Sequence, residues 1–390
     1  MTSADRARAR MVDALVRGGR VRSAAVEEAL RAVPRHLFLP GVEIDAAYAD
    51  EAVAVQHVDG VATSSASQPS MVAIMLEQLA LAPGQSVLEV GAGTGWNAAL
   101  MDRIVGATGS VTSVDIDADL VRSAAVHLAA AGSPDVRLVC GDGARGHPPD
   151  APYDRIVLTV GSADVRPEWV AQLAPGGRLL VPLAVRGSQL SVALDLGSDG
   201  VLRSDSVRGC SFIRLRGIGA GSDMRARPVE GLWVDVPEAA SPDVDPALVA
   251  AALDAPGPVL TAEVPLGASD IWDGFGFWLA LTEPGTVRLM ADGDHDVPPS
   301  AVALAAGPAL AVVAGGTTSS LVRAFGPGSE AVAHRVVAAL QRWVAAGSPS
   351  TADLEVTVVP RTCEPTPAGP ARVDKAYSTV LLGWPSPAAP

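Results

Sequence analysis

Ser86-Val87-Leu88-Glu89-Val90 runs directly into Gly91-Ala92-Gly93-Thr94-Gly95, and a helical stretch begins near Asn97. The apolar run predicts a strand, and the alternating glycines let the backbone turn sharply with no side chain in the way. A helix starting there aims its free N–H groups and the positive end of its dipole at the bend. The loop is therefore expected to cradle an anionic group of a small ligand. The next apolar run, Val111 to Val114, ends at Asp115, twenty residues after Gly95. A carboxylate at the C-terminal end of a parallel strand can accept both hydroxyls of a ribose. A third acid, Asp142 in Cys140-Gly141-Asp142-Gly143, closes the run Asp135-Val136-Arg137-Leu138-Val139 and could meet an adenine amino group.

The glycines follow Gly-x-Gly-x-Gly and not the Gly-x-Gly-x-x-Gly of dinucleotide binders, so a pyrophosphate is not the natural guest. A dehydrogenase, the competing reading, also lacks a His or Lys placed for hydride transfer. Further out, Tyr153 to Val160 and Gly177 to Leu183 are strand-like and alternate with helical stretches, a βαβ pattern that implies a parallel sheet covered by helices. Upstream, Met11 and Leu15, then Val26, Ala29, Leu30 and Val33, recur at helical spacing, with Ser23 as a candidate N-cap and Pro34 as a stop.

Periodicity is lost over Gly217 to Gly231, which reads as a connection. Residues 1–60 are expected to be an N-terminal helical segment, 61–218 the ligand-binding α/β domain, and 219–390 a second, smaller α+β domain. The last holds five of the seven tryptophans, and Trp272, Phe275, Phe277 and Trp278 read as its core.

Composition narrows the partners. The chain has 390 residues, 48% apolar and 18% charged, with a net charge of −14. That charge opposes binding to a nucleic-acid backbone or an anionic membrane. Cys140, Cys210 and Cys363 are too scattered for a disulfide framework or a zinc site. The N-terminus has no apolar stretch suited to a signal peptide, and Ser300 to Gly316 is broken by Gly307 and Pro308, so a cytoplasmic protein off the membrane is expected. Lys375 is the only lysine among 29 basic side chains, a bias that reads as codon usage.

The glycine loop, Asp115 and Asp142 together resemble the S-adenosylmethionine site of the Rossmann-like class I methyltransferases. The resemblance implies that Glu89, Gly91, Gly93 and Gly95 line the loop, that Asp115 holds the ribose, and that Asp142 and Gly143 hold the base. An Asn- or Asp-Pro-Pro-aromatic signature of amine methylation is absent after Val160. Instead Val33-Pro34-Arg35-His36-Leu37-Phe38-Leu39-Pro40, Ala47-Tyr48-Ala49-Asp50-Glu51-Ala52 and Ser67-Gln68-Pro69-Ser70 resemble, in order and spacing, the protein-L-isoaspartate O-methyltransferase family. Gln172-Leu173-Ala174-Pro175-Gly176-Gly177-Arg178 and Gly141-Asp142-Gly143 agree, and the resemblance covers about residues 10 to 218.

That family esterifies the carboxylate of an isoaspartyl residue in a protein or peptide. The likeness maps its conserved serine onto Ser67, as the group that positions the reaction, with Ser65, Gln68 and Arg214 on the substrate side. A plainer role for Ser67 is the N-cap of a helix starting at Pro69. An unperturbed Asp carboxyl has a pKa of about 3.9, so the acceptor is already ionised at neutral pH and no general base is required.

Here Ser65-Ala66 replaces the usual Thr-Ile, Phe212-Ile213-Arg214-Leu215 replaces a Phe-Val-Pro-Leu type segment, and about 170 residues follow the domain. The extension, together with the Ser-rich Thr63-Ser64-Ser65-Ala66-Ser67-Gln68-Pro69-Ser70 segment, is similar to a branch that tailors ribosomally made peptides, associated with lanthipeptides and graspetides. The expectation is therefore a carboxylate O-methyltransferase acting on Asp in a modified peptide and leading to aspartimide, with residues 219–390 recognising the peptide. Repair of isoaspartyl proteins is the alternative, and a peptide-binding protein that keeps the cofactor without turnover is a third.

Overall fold

In the computed structural model, residues 2–58, 60–221, 225–236, 244–292, 296–363 and 371–384 are described. Helices α1 (Ser3–Arg17) and α2 (Ala24–Ala32) open the chain. Thr2 and Asp5 form a reciprocal capping box on α1, and Ser23 caps α2, as its position predicts. After the short α3 (Ile44–Ala47), an antiparallel hairpin of β1 (Val53–Val58) and β2 (Val61–Ala66) leads into α4 (Pro69–Leu79).

The βαβ pattern appears as expected. It comprises β3 (Ser86–Val90), α5 (Trp96–Val105), β4 (Ser110–Asp115), α6 (Ala118–Ala131), β5 (Arg137–Cys140) and β6 (Tyr153–Leu158). The short α7 (Pro167–Val170) then precedes three long strands, β7 (Leu173–Val185), β8 (Ser188–Leu196) and β9 (Leu202–Cys210). β3 pairs in parallel with β4 and β6, so its C-terminal end, where the glycines begin, lies at the centre of the parallel part. One face of the sheet is covered by α1, α2, α4 and α5 through Leu15, Leu30, Leu76 and Met101; Trp169 of α7 is fully buried in the core on the other. This is the Rossmann-like α/β arrangement anticipated above.

The connection after residue 218 includes Ser222, Asp223 and Met224, which lie outside the described residues. Beyond it, β10 (Arg225–Val229), β11 (Leu232–Asp235), α8 (Pro246–Leu253), β12 (Pro256–Ala262), α9 (Ala268–Trp272) and α10 (Phe275–Thr282) follow in order. Strands β13 (Thr286–Ala291), β14 (Ser300–Ala306), β15 (Ala309–Ala314) and β16 (Ser320–Phe325) precede the long helix α11 (Ser329–Ala345). The seven strands form an antiparallel sheet in the order β10-β11-β13-β14-β15-β16-β12. Apolar clusters bury both of its faces, one under α9, α10 and α11 and one under α8.

Residues 219–390 do not form one separate body. The last strands, β17 (Glu355–Pro360), β18 (Ala371–Asp374) and β19 (Ser378–Gly383), return to the first sheet, giving ten strands in the order β18-β19-β17-β9-β8-β7-β6-β3-β4-β5. β17 docks on β9 through Thr357 opposite Arg203 and Val358 opposite Leu202. The physical reason is the open edge of β9: it pairs with β8 on one side and needs a partner for its backbone groups on the other. Of the aromatics expected in the core of the second unit, Phe275 lies there, whereas Phe277 is buried in the core of the ten-stranded sheet. The two parts therefore interlock. Among the described residues, no helix is long and apolar enough to cross a membrane.

Candidate active site

At the C-terminal end of β3 the backbone turns through Gly91, Gly93 and Gly95, with φ of +106°, +51° and +89°. Side chains disfavour that region, which is why glycine is required. A Cβ on Gly91 would lie 2.6 Å from Thr159 Oγ1 and 3.0 Å from Val160 Cγ1, so the loop presses bare backbone against the end of β6. α5 begins at Trp96 with Gly95 as an N-cap that has no side-chain acceptor, so its first N–H groups remain available to a ligand.

These elements wall a cavity of about 340 Å³, the lower end of the usual small-molecule range. Glu89, Gly91, Gly93, Asp115 and Gly143 line it from the cofactor set, and Ser65, Ser67, Gln68 and Arg214 from the acceptor set. The tertiary structure thus gathers two groups of residues far apart in sequence. They are in direct register: the Cβ position of Gly93 lies 3.9 Å from both Ser64 Oγ and the Ser65 carbonyl oxygen.

Two expected residues are placed elsewhere. Gly95 does not line the cavity. Its missing side chain lets α6 come close, since a Cβ there would be 3.3 Å from Ala124 Cβ and Leu128 Cγ. Asp142 is also off the wall. Its Oδ2 accepts from Ile218 N at 2.7 Å and its Oδ1 from Ala144 N at 3.0 Å, so the carboxylate ties down the turn after residue 216. Asp142 stands directly beside the wall residue Gly143, with its carboxylate held by two backbone donors.

Each remaining carboxylate is held by specific donors. Asp115 accepts from Gly93 N at 3.0 Å and from Asp117 N at 3.1 Å, which fixes both the glycine loop and the entry to α6. Glu89 is fully buried; Asn97 Nδ2 donates to it at 2.8 Å and Ser113 Oγ at 2.5 Å. Burial outweighs those two donors and pushes its carboxyl up to about 7. Asp117 caps α6 and is held below the usual carboxylate range, chiefly by the Gln56 amide, which donates at 2.8 Å. Thr63 Oγ1 donates in turn to Gln56 at 3.0 Å, so the β1–β2 hairpin is latched to the rim of the cofactor side.

Ser67 is not the cap of α4. Gln68 occupies the N-cap but its side chain does not cap the helix, and Asp50 Oδ1 accepts from Ser70 N at 2.8 Å instead. The Asp50 carbonyl also accepts from Gln68 Nε2 at 2.9 Å. Asp50 thereby clamps the turn that carries Ser67, whose hydroxyl makes no hydrogen bond among the described residues. Sequence reasoning missed Asp50, the wall residues Thr159, Ile116 and Trp96, and Cys210. Burial pushes the Cys210 thiol far up, so it lines the cavity as a protonated thiol and not as a nucleophile. The one signal available for Ile116 was its position directly after Asp115.

A family profile, Protein-L-isoaspartate(D-aspartate) O-methyltransferase, matches residues 6–218. The protein-L-isoaspartate O-methyltransferase of Methanopyrus kandleri is 39% identical over 213 residues, covering 54% of this chain and 92% of its own length. Protein-L-isoaspartate O-methyltransferase 1 of Rhodopseudomonas palustris is 39% identical over 211 residues, covering 54% of this chain and 83% of its own. A solved protein-L-isoaspartate O-methyltransferase aligns over 90% of this chain and 96% of its own, with a TM-score of 0.51 and 26% identity.

Proposed function

Because the chain belongs to the protein-L-isoaspartate(D-aspartate) O-methyltransferase family, we propose that it esterifies isoaspartyl carboxylates in proteins and peptides. The chain is an S-adenosylmethionine-dependent carboxyl O-methyltransferase. The observation that carries the acceptor assignment is the shared cavity, which sets Ser65, Ser67 and the cation Arg214 into the same space as the glycine loop. A cation suits an ionised carboxylate, and an overall charge of −14 makes its location in the cavity informative.

When bound, S-adenosylmethionine would supply an electrophilic methyl group carried on a sulfonium, with a neutral thioether as its leaving group. The residues fit such a guest: bare backbone at Gly91, an uncapped α5 N-terminus for a carboxylate, and Asp115 beside Ile116 for a ribose and a base. What remains for the protein is placement and exclusion of water, worth up to about 7–11 kcal/mol for well-oriented partners. Ser67 orients the acceptor by donating its hydroxyl proton without losing it, and Arg214 attracts the acceptor.

Tailoring of a ribosomal peptide was expected largely because of the residues beyond 218. That footing is lost, since a solved isoaspartate methyltransferase aligns over 90% of this chain, extension included. The deciding experiment offers labelled cofactor with an isoaspartyl peptide, its ordinary Asp counterpart and a modified precursor peptide. Alkali-labile label on the isoaspartyl peptide alone is expected. Label confined to the precursor would restore the tailoring reading, and tight cofactor binding without label on any of them would leave a binding protein.

A further inference from the structure

The only lysine in the chain is buried. Lys375 is 7% exposed, sits between β18 and β19, and donates from Nζ to the Ala163 carbonyl at 2.6 Å. Ala163 belongs to the loop that follows β6, and the neighbouring Asp164, also 7% exposed, receives the rest of the same hairpin. Its Oδ2 accepts from Tyr377 N at 2.6 Å and its Oδ1 from Ser378 Oγ at 2.6 Å. The guanidinium of Arg166 lies 4.8 Å from the centroid of the Tyr377 ring. Four contacts thus fasten the end of the chain to residues 163–166.

That loop also holds the cavity wall. Gly161 N donates to the Ile213 carbonyl at 2.8 Å, and Leu215 N donates to the Gly161 carbonyl at 2.8 Å, which fixes Arg214 between them. On the other flank, Arg166 Nε donates to the Ala144 carbonyl at 3.1 Å and Trp169 Nε1 to the Gly143 carbonyl at 2.9 Å. Thr159, Val160, Arg214 and Gly143 all line the cavity. The composition adds an independent argument. Every other basic side chain here is arginine. A compact ammonium on an unbranched stem reaches the Ala163 carbonyl as a point charge, where a planar guanidinium would present a wider fork of donors.

We propose that Lys375 and Tyr377 are positioning residues for methyl transfer: the β18–β19 hairpin is a clasp that sets the loop 159–166 and, through it, Arg214 on the acceptor side. The lone lysine is then a requirement of this site and not a residue of codon usage. Its kinetic consequence rests on the isoaspartyl reading above, whereas its structural consequence does not.

The test uses the full chain, with Lys375→Met, Lys375→Arg and Tyr377→Ala. Amide exchange of segments 159–166 and 212–216 is expected to quicken by about tenfold or more in Lys375→Met, with segment 91–96 unchanged. The KM for an isoaspartyl peptide should rise by about fivefold or more, while the Kd for S-adenosylmethionine stays within about twofold. Lys375→Arg should share the defect. If Lys375→Met does not fold, Tyr377→Ala, at a residue 42% exposed, carries the same readings at smaller amplitude. Unchanged exchange in both segments, uniform quickening over the whole molecule, or a fully active Lys375→Arg would overturn the clasp. A wild-type enzyme that leaves the isoaspartyl peptide unmodified refutes the substrate reading alone, because the exchange measurement still decides the clasp.

Discussion

The parallel half of the ten-stranded sheet and the seven-stranded antiparallel sheet are built from similar apolar strands, yet only the first has an edge where chemistry collects. In the parallel half, β3, β4, β5 and β6 all end on the same side, so Gly91, Asp115, Gly143 and Thr159 converge there. In the antiparallel sheet neighbouring strands end on opposite sides, so that Met290 near the end of β13 faces Ser300 at the start of β14. Direction of the strands, more than composition, decides which part can assemble a site.

The sharpest way to break that contrast is a pair of glycine substitutions. Gly91→Ala puts a Cβ 2.6 Å from Thr159 Oγ1 at a φ of +106°, and cofactor affinity should fall by about a hundredfold or more by calorimetry. Gly285→Ala in the other sheet has a comparable clash, 2.4 Å from the Ala305 carbonyl at a φ of +93°. It should cost about 2–3 kcal/mol of stability and leave affinity per folded molecule unchanged. Equal losses of affinity would mean that the two sheets do not divide the labour.

Glu89 sharpens the same contrast through pH. Its carboxyl is raised by burial from an ordinary 4.5 to about 7, so between those values the folded state binds more protons than the unfolded chain. This contribution is complete below pH 4.5 and is lost as pH rises through 7, on the order of 3 kcal/mol in all. Glu89→Gln should flatten the decline, as read from urea midpoints of both proteins at pH 5 and pH 8. Parallel curves for the two would remove the buried acid from the account.

Asp115→Ala is expected to weaken cofactor binding by about 1–3 kcal/mol, since it frees Gly93 N as well as the ribose position. The smallest effects separate Ser67 from Asp50. Ser67→Ala should lower kcat by about tenfold with thermal stability unchanged. Asp50→Ala should lower stability by about 1 kcal/mol through loss of the α4 cap. A stability loss in Ser67→Ala with normal turnover would reverse the two roles.

Much of the site was legible because its devices are local. A strand, a glycine bend and an uncapped helix need only neighbouring residues, and Asp115 follows from the length of one helix and one strand. The donors on Asp142 were not legible, because sequence spacing places a residue at a strand end without saying which backbone groups reach it, and here Ile218 N does. Asp50 and Lys375 were invisible for the same reason: each meets its partner, Ser70 or Ala163, only after separate elements have packed.

The amino-acid order alone determined the βαβ core and its ligand loop, which rest on short-range periodicity and glycine conformation, and through its resemblance to a family it implied the cofactor and the reaction class. The tertiary structure alone decided that the chain's last strands close the first sheet. Backbone hydrogen bonding is indifferent to side-chain identity, so which edge a late strand completes is settled by which edge folding leaves open, and here that was β9.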